Sequence, residues 1–596
     1  MKQQRWIFVG IIALVAVIVA CVLGYQALQQ FSVIGSSKVS KPTNAVDVTL
    51  IYAPEEELYI TEAITNFNRL SARGLDPVTG KGVTAGERPI WIEGKSGSSG
   101  TMARGIINAV IAPNNSNVQK PVIFSPSVRH WLALVNYETG RPIFDVDGSP
   151  GTAEAPVVMA IWQSRLDAIK AKNPGKDIGW AEILQVLNSP NGWQDYGISG
   201  RSKVYYGHTD PQVSSTGLST LMAEFYASSG NTTNKLSKSQ VNDPKVQDGV
   251  RKLEGLIKHY SARTTEFKEY IAQGPEYLDF VALEENDLIY INQGKTAYKP
   301  PEKLVALYPK EGTFIHDHPF AIPNNVDWVT DEQRKAAKKF TDYVLTKEVQ
   351  VKILESGFRP VNKEVPLACP ICPENGVDPN QPKTRLPVPD PDVLSAILQS
   401  WQLVKKQADI LLVIDTSGSM NDADKITQAK AAAKTFIEDQ VGNNNVGLLQ
   451  FNTSTEMVLP IAGLESNRAQ LASAIDGLEA RGNTALYAAL LTAIDELSKT
   501  SDPSRIQAIV LLSDGQNTVE NFRLNDVVSK IQEVRNGKAP ILVIPVAYGS
   551  DADITALSAI ARASDTKVQP GDPKTIRALL EQISQYFSKR IENSEV

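Results

Sequence analysis

Two rhythms of apolar residues alternate along this chain. Short unbroken apolar runs read as strands buried on both faces, and runs with apolar residues every third or fourth position read as helices covering them. The alternation is clearest in the C-terminal third. ILLVID and AIVLLSDGQ are buried strands, as is APILVIPVAYGS, while NVGLLQFNT and EMVLPIAGL form a further strand pair. Between them KITQAKAAAKTFIEDQ, NRAQLASAIDGLEA and ALYAALLTAIDELSK repeat near 3.6 residues and predict amphipathic helices. DITALSAIARAS opens on Asp553, suited to capping a helix, and PKTIRALLEQISQYFSKRI follows Pro573 as a closing helix. Strand–helix alternation of this kind predicts an α/β fold, a doubly wound and mostly parallel sheet with helices on both faces.

The segment from Val46 to about Asn362 has a different order and is long enough for two lobes of ordinary domain size. VDVTLIYA is a strand, followed by the acidic-started helix EEELYITEAITNFNRLS. PIWIEGKSGSSGTMARGIINAVIA, PVIFSPSVRHWLALVN and YYGHTDPQVSSTGLSTLMAEFYA each run strand, small-residue turn, helix. VALYPKEGTFIHDHPFAIP supplies a later strand pair. The turns carry the chemistry. Ser98, Ser99 and Gly100, and Ser214, Ser215, Thr216 and Gly217, precede helices, whose first N–H groups and positive dipole end favour an anion. Ser125 and Ser127 add donors after a third strand. Ordinary N-capping by the same residues is the competing reading.

At the other end, Lys2 and Arg5 precede an uncharged apolar run over 6–23, close to the about 20 residues a membrane-spanning helix needs. Positive charge in front of it favours a cytoplasmic N-terminus and extracytoplasmic remainder. A bacterial lipoprotein site with Cys21 lipidated is the alternative, as is a cleaved signal peptide. The remaining cysteines, Cys369 and Cys372, lie in a Pro-rich stretch with Pro366, Pro370 and Pro373, which oppose the helix start that a redox C-x-x-C pair uses. A local disulfide stiffening a linker is expected, with half a zinc site or a redox pair as alternatives. With 60 Lys and Arg against 66 Asp and Glu, the net charge of −6 offers no basic field for nucleic acid.

The strand at 410–414 ends on Asp415, followed by Ser417 and Ser419. In an open α/β sheet ligands sit beyond the carboxyl ends of the strands. One carboxylate and two hydroxyls there form an oxygen-only set suited to a hard cation such as Mg2+. Thr484, just before a helical run, and Asp514, at the end of a second apolar strand, complete a pattern that resembles the metal-ion-dependent adhesion site of von Willebrand factor A domains. The resemblance covers Asp415, Ser417, Ser419, Thr484 and Asp514, in order and in strand context; the family's usual Gly-Gly-Thr is Gly482-Asn483-Thr484 here. It implies Mg2+, or another divalent cation such as Mn2+, held by the hydroxyls, with the carboxylates acting largely through water. One position stays open for a partner protein's carboxylate.

The layout of residues 46–365 resembles type II periplasmic solute-binding proteins, particularly those for tetrahedral oxyanions such as molybdate or sulfate. It implies a cleft between two lobes, faced by the Ser- and Thr-bearing turns, and a small anionic solute. The expected organisation is an anchor over 1–31, a linker over 32–45, the binding-protein module over 46–365, a Pro-rich linker over 366–400 and the A domain over 401–596. His316 and His318 share one face of an extended strand, but no third ligand is visible in sequence, so no metal is expected there. Glu284, Glu285 and Asp287 read as a solvated acidic face, since burying three neighbouring carboxylates without cations is costly. No nucleophile, base and orienter set is legible, so no enzyme is expected. The expected function is a membrane-anchored extracytoplasmic binding protein. A solute receptor and an envelope-assembly scaffold are the alternatives.

Overall fold

The computed structural model describes residues 40–587 apart from 115–116, 200–203, 232, 259, 262, 441, 501, 503, 536–538, 565, 567 and 585–586. The segment 1–31, expected to be an anchor, and with it Cys21, lies outside the described residues. Among these residues no helix is long and apolar enough to cross a membrane.

Three sheets organise the described residues. In the first, β1 (Val46–Tyr52) pairs in parallel with β2 (Ile90–Ser96) on one side and β3 (Ile123–Ser125) on the other. The second is built around β4 (Ala153–Trp162), whose ten residues are long enough to meet four partners antiparallel. β6 (Phe280–Glu284) and β7 (Leu304–Leu307) flank its C-terminal half, with β5 (Tyr206–Gly207) parallel outside β6. β8 (Ile315–His316) and β9 (Arg359–Pro360) pair with its N-terminal half.

The third sheet runs β12 (Thr455–Gly463), β11 (Asn445–Phe451), β10 (Gln407–Asp415), β13 (Arg505–Ser513), β14 (Ile541–Tyr548), β15 (Gln569–Gly571). It is parallel except for β12, which pairs antiparallel with β11 at one edge. Side chains alternate across a strand. Ile410, Leu412 and Ile414 therefore pack on one helical layer with Phe436 and Leu471, and Leu411 and Val413 on the other with Leu490 and Ile531. Each such fully buried aliphatic side chain contributes roughly 1.5–3 kcal/mol, and this two-sided burial explains the unbroken apolar runs.

The Pro-rich stretch corrects an expectation. It is no free linker: Ile371, Cys372, Val377 and Leu386 are buried against the β4 sheet side of the molecule, and the Ala306 N–H donates to Gly376 O at 2.8 Å. Cys369 and Cys372 are disulfide-bonded. A helix over Pro391–Val404 then crosses the expected 400/401 boundary. Its Trp401 is fully buried, edge-on to Tyr260 and 5.6 Å from His208 between ring centroids. The apolar residues of this segment need cover, and the binding-protein module supplies it before the chain enters β10.

Candidate functional sites

At the carboxyl end of β10, Asp415 is buried, accepting from the Ser417 N–H and from the Ser513 hydroxyl, both at 2.8 Å. Burial raises its carboxyl to about 6; these donors oppose the rise and nearby Asp514 adds to it. The Ser417 and Ser419 hydroxyl oxygens lie 3.1 Å apart. Adjacent ligands of an octahedral Mg2+ with bonds of about 2.0–2.1 Å are about 2.9 Å apart. Ser419 donates to Asp514 Oδ1 at 2.8 Å. Gly515 lies beside these donors, where a Cβ would make ordinary contact at 3.7 Å with Thr484 Oγ1 and 3.9 Å with Ser419 Oγ. This set of oxygen donors fits a hard divalent cation, which Ser417, Ser419 and Thr484 would hold. Ser419 and Gly515 are partly exposed, so the cluster faces solvent on one side.

Backbone contacts bring the three segments together. The Gly418 N–H donates to Gly482 O at 2.9 Å and Arg481 N–H to Thr416 O at 2.7 Å. Thr484 N–H donates to Thr518 Oγ1 at 2.9 Å. The left-handed backbone of this turn falls on Gly482, at φ 77°, and not on Asn483. The departure from Gly-Gly-Thr is harmless because the residue that needs the conformation is still glycine. Sequence reasoning missed Lys425. Its ammonium sits 2.7 Å from Asp514 Oδ2, almost wholly buried. It is delivered by a turn in which Ala423 and Asp424 both take positive φ, of 51° and 62°. Non-glycine residues held this way mark functional turns; the sequence signal was a lone cation opening the helix after the motif.

In the binding-protein module, Ser98, Ser99, Ser127, Ser214, Ser215 and Thr216 line one cavity, with Glu55, Arg263 and Thr264. Ser125 is the exception: it is fully buried and donates to both oxygens of Glu56 at 2.9 Å, away from the cavity. The lobes meet closely here. The Gly100 N–H donates to Val213 O at 2.9 Å, and a Cβ on Gly100 would come within 2.2 Å of Gln212 O. Several hydroxyls are already engaged. Ser214 caps its helix through the Gly217 N–H, Ser215 accepts from Trp131 Nε1 at 2.9 Å, and Ser99 accepts from the Ser127 N–H at 3.1 Å. About 20 Å3 remains, room for about one water-sized body.

Below this cavity the structure overturns the solvated-face reading. Glu284, Glu285 and Asp287 are buried. Arg359 pairs bidentately with Glu285 at 2.8 and 2.7 Å, Lys268 lies 2.9 Å from Asp287, and His316 Nδ1 lies 2.6 Å from Glu284 Oε1. The compensating partners come from distant sequence, where local reading could not find them. His316 and His318 do both face one carboxylate, Glu284. The missing third partners are Glu55 and Glu56, from the turn after β1; Glu56 Oε1 is 3.2 Å from His318 Nδ1. Burial opposes charge on His318, but the Glu284 and Glu56 carboxylates overcome it and hold the imidazole well above its ordinary range. Burial and nearby Glu284 push the Glu55 carboxyl up to about 8.

Comparison with known proteins agrees with the two architectures. Residues 410–516 match the family described as von Willebrand factor type A domain, and residues 132–375 match bacterial extracellular solute-binding protein. Human inter-alpha-trypsin inhibitor heavy chain H2 is 29% identical over 161 residues, 26% of this chain and 17% of that one. The uncharacterized protein YfbK of Escherichia coli is 28% identical over 141 residues, 24% of this chain and 23% of that one. The chain thus spans under a quarter of either relative. Among solved structures, the sulfate-binding protein SubI from Mycobacterium tuberculosis is 18% identical, with a TM-score of 0.34, covering 54% of this chain and 88% of that one. A von Willebrand factor type A protein from Catenulispora acidiphila is 24% identical, with a TM-score of 0.28, covering 30% and 43%. The chain combines an A-type domain with a solute-binding-type domain, both of binding or adhesion kind.

Proposed function

We propose that this chain is a membrane-anchored extracytoplasmic binding protein whose A domain grips an acidic side chain of a partner protein through Mg2+. The observation that carries this is the convergence of Asp415, Ser417, Ser419, Thr484 and Asp514 beyond the ends of β10 and β13, with one side open. Each oxygen of the two carboxylates already has a partner, the Ser417 N–H and Ser513 hydroxyl on Asp415 and Ser419 and Lys425 on Asp514, which favours their acting on the cation indirectly. The cation then keeps most of its charge with which to bind a carboxylate, since three neutral hydroxyls bring no negative charge. The N-terminal apolar run, preceded by Lys2 and Arg5, supports tethering outside the cytoplasm.

A second reading, a receptor for a small solute, is favoured by one observation. Six of the seven Ser and Thr side chains expected at a cleft line a single cavity between the lobes. Titration calorimetry of Mg2+ into the full chain and its Asp415→Ala variant tests the first reading. Binding in the micromolar to millimolar range, lost in the variant, is expected. Equal heats in both proteins would overturn it.

A further inference from the structure

The five buried groups beneath the cleft are arranged in two shells. Nε2 of His318 and Oε2 of Glu284 lie 3.5 Å apart, and neither has a hydrogen-bond partner among the described residues. A carboxylate oxygen of Glu55 completes a triad in which all three ligand atoms fall within 4.8 Å of one another. Behind each of the two unpartnered atoms stands an orienting group. His318 Nδ1 faces Glu56 Oε1 at 3.2 Å, and Glu56 is fixed by the Ser125 hydroxyl at both oxygens. Glu284 Oε1 is held by His316 Nδ1 at 2.6 Å, and His316 Nε2 meets Ser219 Oγ at 2.9 Å.

A carboxylate that orients an imidazole through its other nitrogen is the usual outer shell of a metal-ligating histidine. His318 is also held at φ 42°, a conformation a non-glycine residue keeps only when its surroundings impose it. Its backbone is pinned on both sides: its N–H donates to Ser127 O at 3.0 Å, and its carbonyl accepts from the Thr152 N–H at 3.1 Å.

We propose that Glu55, Glu284 and His318 form a divalent transition-metal site at the floor of the binding-protein cleft, separate from the A-domain site. One imidazole nitrogen and two carboxylates suit Zn2+, with Mn2+ as a weaker alternative, and disfavour Mg2+. Donor atoms around a tetrahedral Zn2+ with bonds of about 2.0–2.1 Å sit about 3.3–3.4 Å apart, so the 3.5 Å separation of Nε2 and Oε2 needs almost no adjustment. The two ligating carboxylates match the charge of a divalent ion, with His318 binding through a neutral ring. Glu55 lines the cavity of about 20 Å3, so the ion has a route from the cleft and space for one further small ligand.

The test uses the full chain carrying Asp415→Ala, which removes the all-oxygen A-domain site from competition. Zn2+ is titrated by calorimetry, and the zinc-loaded protein is studied by X-ray absorption. Expected are one Zn2+ per chain, an imidazole signature in the absorption spectrum, and affinity lowered about 10–100-fold by Glu55→Gln. Glu55 lines the cavity and accepts from the Ser127 hydroxyl, outside the Glu56–His318 and Glu284–His316 pairs, so this variant leaves those pairs in place; an unchanged thermal transition without zinc checks that it folds. No Zn2+ binding, zinc bound without imidazole, or an affinity untouched by Glu55→Gln would overturn the proposal. Loss of Mg2+ binding in Asp415→Ala is a separate readout, so either site can fail alone.

Discussion

Replacing Lys425 by Met tests the electrostatics of the A-domain site most directly. The Lys425–Asp514 pair is 2.7 Å long, with side chains 6% and 0% exposed. Removing one partner of a buried pair leaves an uncompensated charge and costs about 3–5 kcal/mol. The stranded group here is Asp514, which borders the space a cation would fill. A bound Mg2+ supplies positive charge beside Asp514, so most of the cost is recovered when metal is present. At roughly 100 times its Kd, Mg2+ adds about 2.7 kcal/mol to the wild type by mass action, and more to the variant, whose uncompensated Asp514 makes it bind the cation more tightly. In calorimetric melting of the full chain, the transition that responds to Mg2+ should fall by roughly 6–20 °C in the variant under EDTA, taking about 2–4 °C per kcal/mol. Under saturating Mg2+ the deficit should shrink to roughly a third of that or less. An equal loss with and without Mg2+ would show that Lys425 and the cation do not share Asp514, and the reasoning would fail.

Two further outcomes follow from the junction between the modules. Burial lowers the Lys405 amine from its ordinary 10.5 to about 8, against the raising effect of Asp210, and its nitrogen has no hydrogen-bond partner among the described residues. The unfolded chain holds this proton more tightly than the folded one, so the penalty is full below pH 8 and vanishes above 10.5. Lys405→Met should therefore stabilise the protein near pH 7 by up to about 3 kcal/mol, with the gain fading as pH rises through that window; urea melts at pH 7 and pH 10 check the difference. Trp401→Ala should cost about 3–5 kcal/mol and expose the Pro391–Val404 helix to proteolysis, whereas a free linker would tolerate the change.

The candidate oxygen cluster was legible in the sequence because its residues sit where local rules put them. Asp415 closes an apolar strand, Asp514 follows another, and strand ends in a parallel sheet meet at one edge whatever lies between them. The apolar runs also forced a two-sided sheet, since only burial on both faces accounts for Ile410, Leu411, Leu412, Val413 and Ile414 together. The Ser and Thr turns were legible for the same reason: small hydroxyl residues between strand and helix mark helix starts. Ser125 was misplaced because alternation along so short a strand does not say which face opens on the cleft.

The rest was decided only in three dimensions. Whether Glu284, Glu285 and Asp287 are solvated depends on Arg359, Lys268, His316 and His318, whose partnership with them is long-range and leaves no local pattern. The Pro-rich segment read as a linker from its prolines, yet Ile371, Val377, Leu386 and Trp401 found cover on the binding-protein module. Lys425 could be placed against Asp514 only once the helix it opens was docked on the sheet. Propensity and periodicity act over a few residues, so they fix elements and the ends of strands. Charge compensation in the interior acts between groups brought together by folding, and only the tertiary structure reveals it.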